Sequence, residues 1–277
     1  MAILEEVFMK EDILDRARLL LACPNCSNEN NSELHWESPF RDLLVCDHCR
    51  REYPIVDGII DFVPEFDSSS GFAQKFMENR SVVSIYEKYV RPSFTRLGSS
   101  ITYDEEIEWL QEVPVAVSPK YALDIACGTG KYTRLLDEMY HPDIIFGADL
   151  SMPMLESAHA QKKPNMVFIR CDAQSMPFKS HIFSRVNCFG ALHLFPDTRK
   201  ALSEIRRIME LSGCFTCLTS RDIRGWTAWL QSAFSSIFSF HFFDDAQMER
   251  MLSDCGYINV HLFERAMVLL FYGYAGV

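Results

Sequence analysis

The sequence lacks an excess of positive charge and any long apolar run. Lysine and arginine number 27 among the 277 residues, against 38 aspartate and glutamate residues, so the formal net charge is −11. This charge opposes the binding of a polyanion and argues against nucleic acid as a partner. Because the longest apolar runs are too short to cross a bilayer, we predict no membrane span.

The N-terminus lacks the basic region of a secretory signal, since it carries Glu5, Glu6, Glu11 and Asp12 instead. Ten cysteines are typical of a reducing compartment, in which buried thiols behave as small apolar groups. We therefore predict a cytoplasmic location.

A strand, a glycine turn and the start of a helix are predicted between residues 121 and 131. Gly128 and Gly130 let the backbone approach a ligand, and the first N–H groups of the helix face the same crevice. Asp149 follows Gly130 by 19 residues, at the end of a second apolar run. An acidic residue at that spacing can accept hydrogen bonds from both hydroxyls of a ribose, so the pattern indicates a nucleotide-like cofactor.

This loop lacks one of the three glycines of the dinucleotide fingerprint. Ala126 stands ahead of Gly128 and Gly130, and Asp124 precedes them all. A carboxylate beside the loop repels a diphosphate but attracts an ammonium or sulfonium group. S-adenosylmethionine carries both cations together with a ribose and an adenine, so it suits this loop better than a dinucleotide does.

Four segments in order resemble the class I S-adenosylmethionine-dependent methyltransferases, closest to the ubiquinone/menaquinone-type and small-molecule branch. The similarity runs from about residue 122 to the C-terminus. The matching motifs occupy residues 123–130, 147–155, 170–178 and 189–197.

The resemblance implies a role for each matching residue. Asp149 would hold the ribose, and Leu150 and Met154 would pack near the adenine. Asp172 and Ala173 would read the adenine edge. The remaining cofactor contacts that it implies are made by Tyr86, Asp124, Ala126, Cys127, Gly128, Gly130 and Phe189. Tyr86 could equally be a core aromatic, and each aspartate alone could be an ordinary loop or N-cap residue.

The periodicity of the sequence agrees with an α/β fold. Short apolar runs at residues 167–169, 185–188 and 214–219 alternate with helical patterns at residues 154–160 and 199–209. Such alternation predicts a Rossmann-like, doubly wound parallel sheet, in which ligands bind beyond the carboxyl ends of the strands. Asp124, Asp149, Asp172 and Phe189 all fall at such ends.

Two Cys-x-x-Cys pairs, Cys23 with Cys26 and Cys46 with Cys49, are separated by 19 residues. Four thiolates at this spacing predict a structural zinc ribbon. A redox dithiol needs only one pair, and disulfides need an oxidising compartment, so both alternatives fit poorly. The ribbon resembles modules fused to or partnered with certain methyltransferases, in which it can help to capture substrate.

Length and composition predict two units. Residues 1–65 would form an N-terminal helix and the ribbon, and residues 66–277 the methyltransferase domain, joined by a linker near residues 64–71. Within the larger unit we predict a helical cap at residues 72–112 and an aromatic lid at residues 221–243.

His193 is the best-placed candidate for a general base, with Asp197 and His241 as weaker candidates, although His193 could also be a packing residue. The aromatic density of the lid favours an apolar or aromatic small-molecule acceptor, unless those rings simply fill the interface with the sheet. An RNA methyltransferase that uses the ribbon to grip its substrate, and a non-catalytic protein that only binds the cofactor, stay open as alternatives.

Overall fold

The computed structural model describes residues 13–26, 33–38, 40–64, 101–115, 118–222 and 241–276. In these ranges eleven strands form one sheet, in the order β1-β2-β3-β4-β7-β6-β5-β8-β9-β11-β10. The strands are β1 (Leu34–Trp36), β2 (Leu43–Cys46), β3 (Glu52–Val56), β4 (Ile59–Asp61), β5 (Tyr121–Ile125), β6 (Ile144–Asp149), β7 (Met166–Arg170), β8 (Phe183–Phe189), β9 (Met209–Ser220), β10 (Tyr257–Arg265) and β11 (Val268–Ala275). The helices are α1 (Ile13–Arg18), α2 (Tyr103–Glu112), α3 (Lys131–Tyr140), α4 (Met152–His159), α5 (Thr198–Ile208) and α6 (Asp245–Asp254).

The centre of the sheet is parallel and buried on both faces. Strands β4, β7, β6, β5, β8 and β9 pair in parallel, whereas β9, β11 and β10 pair antiparallel. All residues of β6 except Asp149 are buried, as expected for an unbroken apolar strand covered by helices on both sides. The predicted α/β doubly wound fold is confirmed.

Side-chain caps define where the helices begin. Thr102 and Glu105 form a reciprocal capping box at the start of α2, and the side chain of Ser151 accepts a hydrogen bond from the Met154 N–H at the start of α4. Asp197 caps α5 by accepting a hydrogen bond from the Lys200 N–H at 2.9 Å. Asp197, one of the weaker candidate bases, therefore acts as the N-cap of α5.

The N-terminal module is built from α1 and strands β1 to β4. Its buried residues include Leu34, Leu44 and Tyr53, and the ring of Tyr53 lies 4.8 Å from that of Phe62. A hairpin joins β3 and β4 through Asp57 and Gly58, and both turn residues have positive φ.

The two predicted units share one sheet. Strand β4 of the ribbon pairs in parallel with β7, aligning Ile60 with Ile169 and Asp61 with Arg170. On the face of the sheet, the Ala22 N–H donates to the Pro177 carbonyl at 3.0 Å. The cysteine spacing predicts the ribbon as a separate module. The pairing of β4 with β7 instead makes the ribbon strands the edge of the larger sheet.

Several predicted features lie outside the described residues. They include Tyr86, the linker after Pro64, and most of the cap and the lid. Helix α2 lies within the residues predicted as the cap, and the cap itself stays a prediction. Among the described residues, every helix is too short or too polar to span a membrane.

Candidate functional site

Three loops meet at the carboxyl edge of the parallel strands, after β5, β6 and β7. The Cys127 N–H donates to the Ala148 carbonyl at 3.0 Å, and the Cys171 N–H donates to the Asp149 carbonyl at 3.1 Å. These bonds hold the loops in register, so the residues that follow each strand line one crevice.

Asp149 ends β6 at the centre of this crevice. Its Oδ2 accepts a hydrogen bond from the Gly128 N–H at 2.8 Å, and its Oδ1 accepts one from the Ser151 N–H at 2.9 Å. Burial raises the pKa of the Asp149 carboxyl, although the N–H donors of Ser151 and Gly128 act in the opposite direction. Each carboxylate oxygen keeps a further lone pair, so the group can also accept two hydroxyl donors.

Open space lies beside the backbone at Gly128 and Gly190, which follow β5 and β8. Both have positive φ, +55° and +79°, and a Cβ at either position would meet no atom within 4 Å. Gly130 differs, because a Cβ there would lie 3.0 Å from that of Ala158. Gly128 therefore leaves room for a ligand, whereas Gly130 allows α3 and α4 to pack closely.

Ala126 and Cys127 form the turn between β5 and Gly128. Ala126 has a φ of +52°, a left-handed conformation that is costly for a residue with a Cβ. Cys127 is buried, and burial raises the pKa of its thiol well above the ordinary value. Strained backbone conformations are concentrated at binding sites, so the positive φ of Ala126 marks this turn as a candidate site.

Asp124 lies beneath the loop, with only 1% of its surface exposed. Its Oδ2 accepts a hydrogen bond from the Thr133 hydroxyl at 2.7 Å, and its Oδ1 accepts one from the Asn187 amide at 2.8 Å. The Thr216 hydroxyl in turn donates to the Asn187 Oδ1 at 3.0 Å. The carboxyl group of Asp124 thus ties β5 to α3 and β8 through hydrogen bonds.

Asn187 and Thr133 were not singled out from the sequence. The available signal was a lone amide in the apolar run that became β8, since a buried amide needs hydrogen-bond partners.

Asp172 and Ala173 follow β7 on the far side of Asp149, and both are half-buried. The Asp172 Oδ1 accepts hydrogen bonds from the Gln174 N–H at 2.9 Å and from its side-chain amide at 3.2 Å. Leu150 is half-buried beside Asp149, and Met154 is buried at the start of α4. All four residues follow β6 or β7, which are neighbouring strands of the sheet.

Phe189 ends β8 and belongs to an aromatic layer between the sheet and α2. Its ring lies 4.8 Å from that of Tyr132 and 6.0 Å from that of Trp109. The buried Glu106 accepts a hydrogen bond from the Tyr132 hydroxyl. Phe189 and Tyr132 are both buried, so this layer packs α2 and α3 against the sheet at the end of β8.

His193 lies in a short turn after β8, and its Nδ1 is 3.3 Å from the Thr219 hydroxyl. Its carbonyl accepts a hydrogen bond from the His241 N–H at 2.9 Å. Burial, together with the nearby His241, lowers the pKa of His193 to about 3. The ring is therefore uncharged near neutral pH and holds an added proton only weakly.

The four cysteines of the ribbon converge at one point. All four sulfurs lie within 4.8 Å of one another, with 3.6 Å between Cys23 and Cys49 and 3.7 Å between Cys26 and Cys46. A tetrahedral zinc with bonds of about 2.3 Å has sulfur–sulfur edges of about 3.8 Å. Disulfide sulfurs lie only about 2.05 Å apart, so the cluster has the dimensions of a metal site.

Comparison with known proteins agrees with this geometry. A family described as "Methyltransferase domain" matches residues 123–217. An uncharacterized chloroplastic methyltransferase of Arabidopsis thaliana is 22% identical over 256 residues, which is 86% of this chain and 72% of that protein. A demethylmenaquinone methyltransferase of Lactiplantibacillus plantarum is 30% identical over 138 residues, covering 47% of this chain and 58% of that protein.

A solved structure of phosphoethanolamine N-methyltransferase 2 from Haemonchus contortus shares the fold. It superposes with a TM-score of 0.62 at 15% identity, covering 77% of this chain and 61% of that chain. The matched domain and these relatives support an S-adenosylmethionine-dependent methyltransferase, and the solved structure shows the shared fold.

Proposed function

We propose that the chain transfers the methyl group of S-adenosylmethionine to an apolar small molecule, while a zinc ion holds its ribbon together. The observation that carries the proposal is the carboxyl edge itself, where the Asp149 carboxylate accepts a hydrogen bond from the Gly128 N–H and open space adjoins the backbone of Gly128. A carboxylate suited to ribose hydroxyls thus adjoins backbone that a ligand can approach.

The donor would lie across the carboxyl edge, with each part against a different loop. Asp149 would accept the ribose hydroxyls, Asp172 and Ala173 would contact the adenine edge, and Leu150 and Met154 would pack on its ring. The remaining part, which carries the amino acid, would follow the turn from Ala126 through Gly130 toward Phe189. A contact from Tyr86 stays a prediction from the sequence.

Two observations favour an apolar acceptor. The net charge of −11 opposes a polyanion, and the aromatic packing around Phe189 would give the methyl-donor end apolar surroundings. One relative is named a demethylmenaquinone methyltransferase, a name that describes an enzyme acting on a small molecule. The aromatic segment that we predict as a lid would add apolar surface on the same side.

Methyl transfer asks little acid–base chemistry of the protein. Bound S-adenosylmethionine supplies a methyl group that its sulfonium already activates. The chain would contribute position, because the loops at the carboxyl edge would hold the donor in one orientation relative to the acceptor. His193, which we predicted as a base, is better suited to hydrogen bonding as a neutral ring, since an efficient base has a pKa near the working pH.

The neutral state of His193 can be measured directly. The measurement is an NMR titration of protein with isotope-labelled histidine, in which His193→Asn assigns the ring signals of His193. An ordinary histidine titrates near pH 6.5, whereas we expect the His193 signals to stay constant from about pH 8 to pH 5. Because the unfolded chain binds this proton and the folded chain does not, His193 should lower stability as the pH falls below about 6.5. Titration of the folded ring near pH 6.5 would restore His193 as a candidate base.

The acceptor class is tested by following the methyl group. The zinc-loaded protein is incubated with cell extract and S-adenosylmethionine labelled in its methyl group, and the extract is then separated into lipid-soluble, polar small-molecule, nucleic-acid and protein fractions. We expect label in the lipid-soluble fraction. Label in RNA would support a ribbon that grips nucleic acid, and binding of the donor without transfer would support a non-catalytic role.

A further inference from the structure

A buried ion pair joins the ribbon to the cofactor crevice. Asp61, at the end of β4, is 4% exposed, and its Oδ2 lies 3.2 Å from the Arg170 Nη1 at the end of β7. The pair is fixed on both sides, because the Val63 N–H donates to the Asp61 Oδ1 at 2.9 Å and the Phe62 N–H donates to the Arg170 carbonyl at 2.9 Å. A carboxylate and a guanidinium this well buried are desolvated, so losing one partner is costly to the other.

Asp61, Arg170 and Asp149 form a row across three neighbouring strands. Asp61 is the register partner of Arg170 between β4 and β7, and Arg170 is the register partner of Asp149 between β7 and β6. The ribbon therefore contributes a charge at the same edge of the sheet as the predicted ribose-binding carboxylate.

One peptide unit links Arg170 to Asp149. The Arg170 Nε donates to the Leu150 carbonyl at 2.9 Å, and the N–H of the same peptide unit, which belongs to Ser151, donates to the Asp149 Oδ1 at 2.9 Å. Arg170 thus holds the carbonyl side of this peptide unit. The position of the peptide in turn sets where its N–H points toward Asp149. Hydrogen bonds in such a chain polarise and orient one another.

We propose that Asp61 of the ribbon is a positioning residue for the cofactor, acting through Arg170 and the peptide between Leu150 and Ser151 on Asp149. The inference rests on the proposed ribose-binding role of Asp149. It gives the ribbon a task beyond its own stability, because an intact ribbon keeps the adenosine side of the crevice in its binding geometry.

The test uses full-length, zinc-loaded protein and isothermal titration with S-adenosylmethionine and S-adenosylhomocysteine. We expect Asp61→Asn to weaken both affinities by about 5- to 30-fold, a factor within the usual range of coupling between sites. Asp57→Asn is the matched control, since it removes the same charge from an exposed position on the same hairpin. It should leave both affinities unchanged.

Two further variants separate positioning from general destabilisation. In an Asp149→Ala background, Asp61→Asn should cause no further loss, because the residue through which it acts is gone. Arg170→Lys keeps a cation opposite Asp61, but its single ammonium group cannot reproduce the two-sided contact, so it should weaken binding like Asp61→Asn. This variant decides the matter if Asp61→Asn does not retain zinc.

The possible results are distinct. If the unaltered protein and Asp61→Asn bind the cofactor equally well, the positioning role is overturned. If Asp61→Asn loses zinc, Arg170→Lys takes its place in this comparison. An equal further loss in the Asp149→Ala background would also overturn the positioning role. Failure of the unaltered protein to bind the cofactor would instead refute the proposed function.

Discussion

Asp149→Ala is expected to weaken the binding of S-adenosylmethionine by about 1–3 kcal/mol, the scale of lost hydrogen bonds to a charged group. The carboxylate already holds the N–H groups of Gly128 and Ser151, so the variant removes both the predicted ribose contacts and the anchor of two loops. Isothermal titration measures the loss. Asp143→Ala is the matched control, because Asp143 is an exposed acid just before the opposite end of β6.

The same carboxylate predicts how the affinity depends on pH. Since burial raises the pKa of Asp149, the group takes up its proton at a higher pH than an ordinary aspartate, whose pKa is about 3.9. A protonated carboxyl accepts hydrogen bonds less well, so the affinity should fall as the pH is lowered through this raised pKa. In Asp149→Ala that part of the pH dependence should disappear. An unchanged affinity in the variant would refute the ribose role.

Cys46→Ser is expected to abolish zinc binding and to unfold the ribbon. Cys46 is fully buried at the end of β2 within the four-cysteine cluster, and the strands around it have only three to five residues, so we expect the cysteine end of the ribbon to depend on the metal. Structural zinc contributes about 10–16 kcal/mol of apparent binding free energy in zinc-finger peptides, so its loss outweighs that of any single packing contact. The zinc content of each variant is measured by native mass spectrometry, and unfolding of the ribbon by amide hydrogen exchange of β2 and β3.

Cys255→Ser provides the control for this variant. Cys255 is half-exposed after α6 and lies outside the four-cysteine cluster, so the substitution repeats the chemistry without removing a ligand. It should keep one zinc per chain and normal protection of the ribbon. Unchanged zinc content in Cys46→Ser would count against the four-thiolate site.

Local sequence patterns predicted the glycine turn after β5 and the acidic residue at the end of β6, because both features depend on short spacings. Gly128, Gly130 and Asp149 lie in segments whose strand-turn-helix order is visible in the sequence, and the parallel sheet then places the strand ends together. The four cysteines were predicted for the same reason, because each Cys-x-x-Cys pair is recognisable by its own spacing. Only the approach of the two pairs to each other depends on the fold.

The long-range pairings could not be predicted in this way. Asp61 and Arg170 are separated by 109 residues, and nothing in either segment indicates that β4 extends the sheet beside β7. Asp124 and Asn187 are likewise separated by 63 residues, so the hydrogen bond that makes Asp124 a structural anchor appears only in the fold. The spacing of charges in a sequence does not specify which strand becomes the neighbour of which.

The surroundings of His193 and of the ribbon add physical information that their local sequences do not contain. A histidine after a strand is a reasonable candidate base by position, but burial beside His241 makes this one a weak base. The ribbon was expected to be structural on its own, whereas the Asp61 contact connects it to the cofactor loops. Both results depend on neighbours distant in sequence.

The central claim is that the carboxyl edge of this sheet binds S-adenosylmethionine through Asp149. Its most direct test is isothermal titration of the intact, zinc-loaded protein with S-adenosylmethionine and with S-adenosylhomocysteine, beside Asp149→Ala. We predict saturable binding of both compounds at one site per chain and a marked loss of both in the variant. An absence of measurable binding of either compound by the unaltered protein would contradict the account.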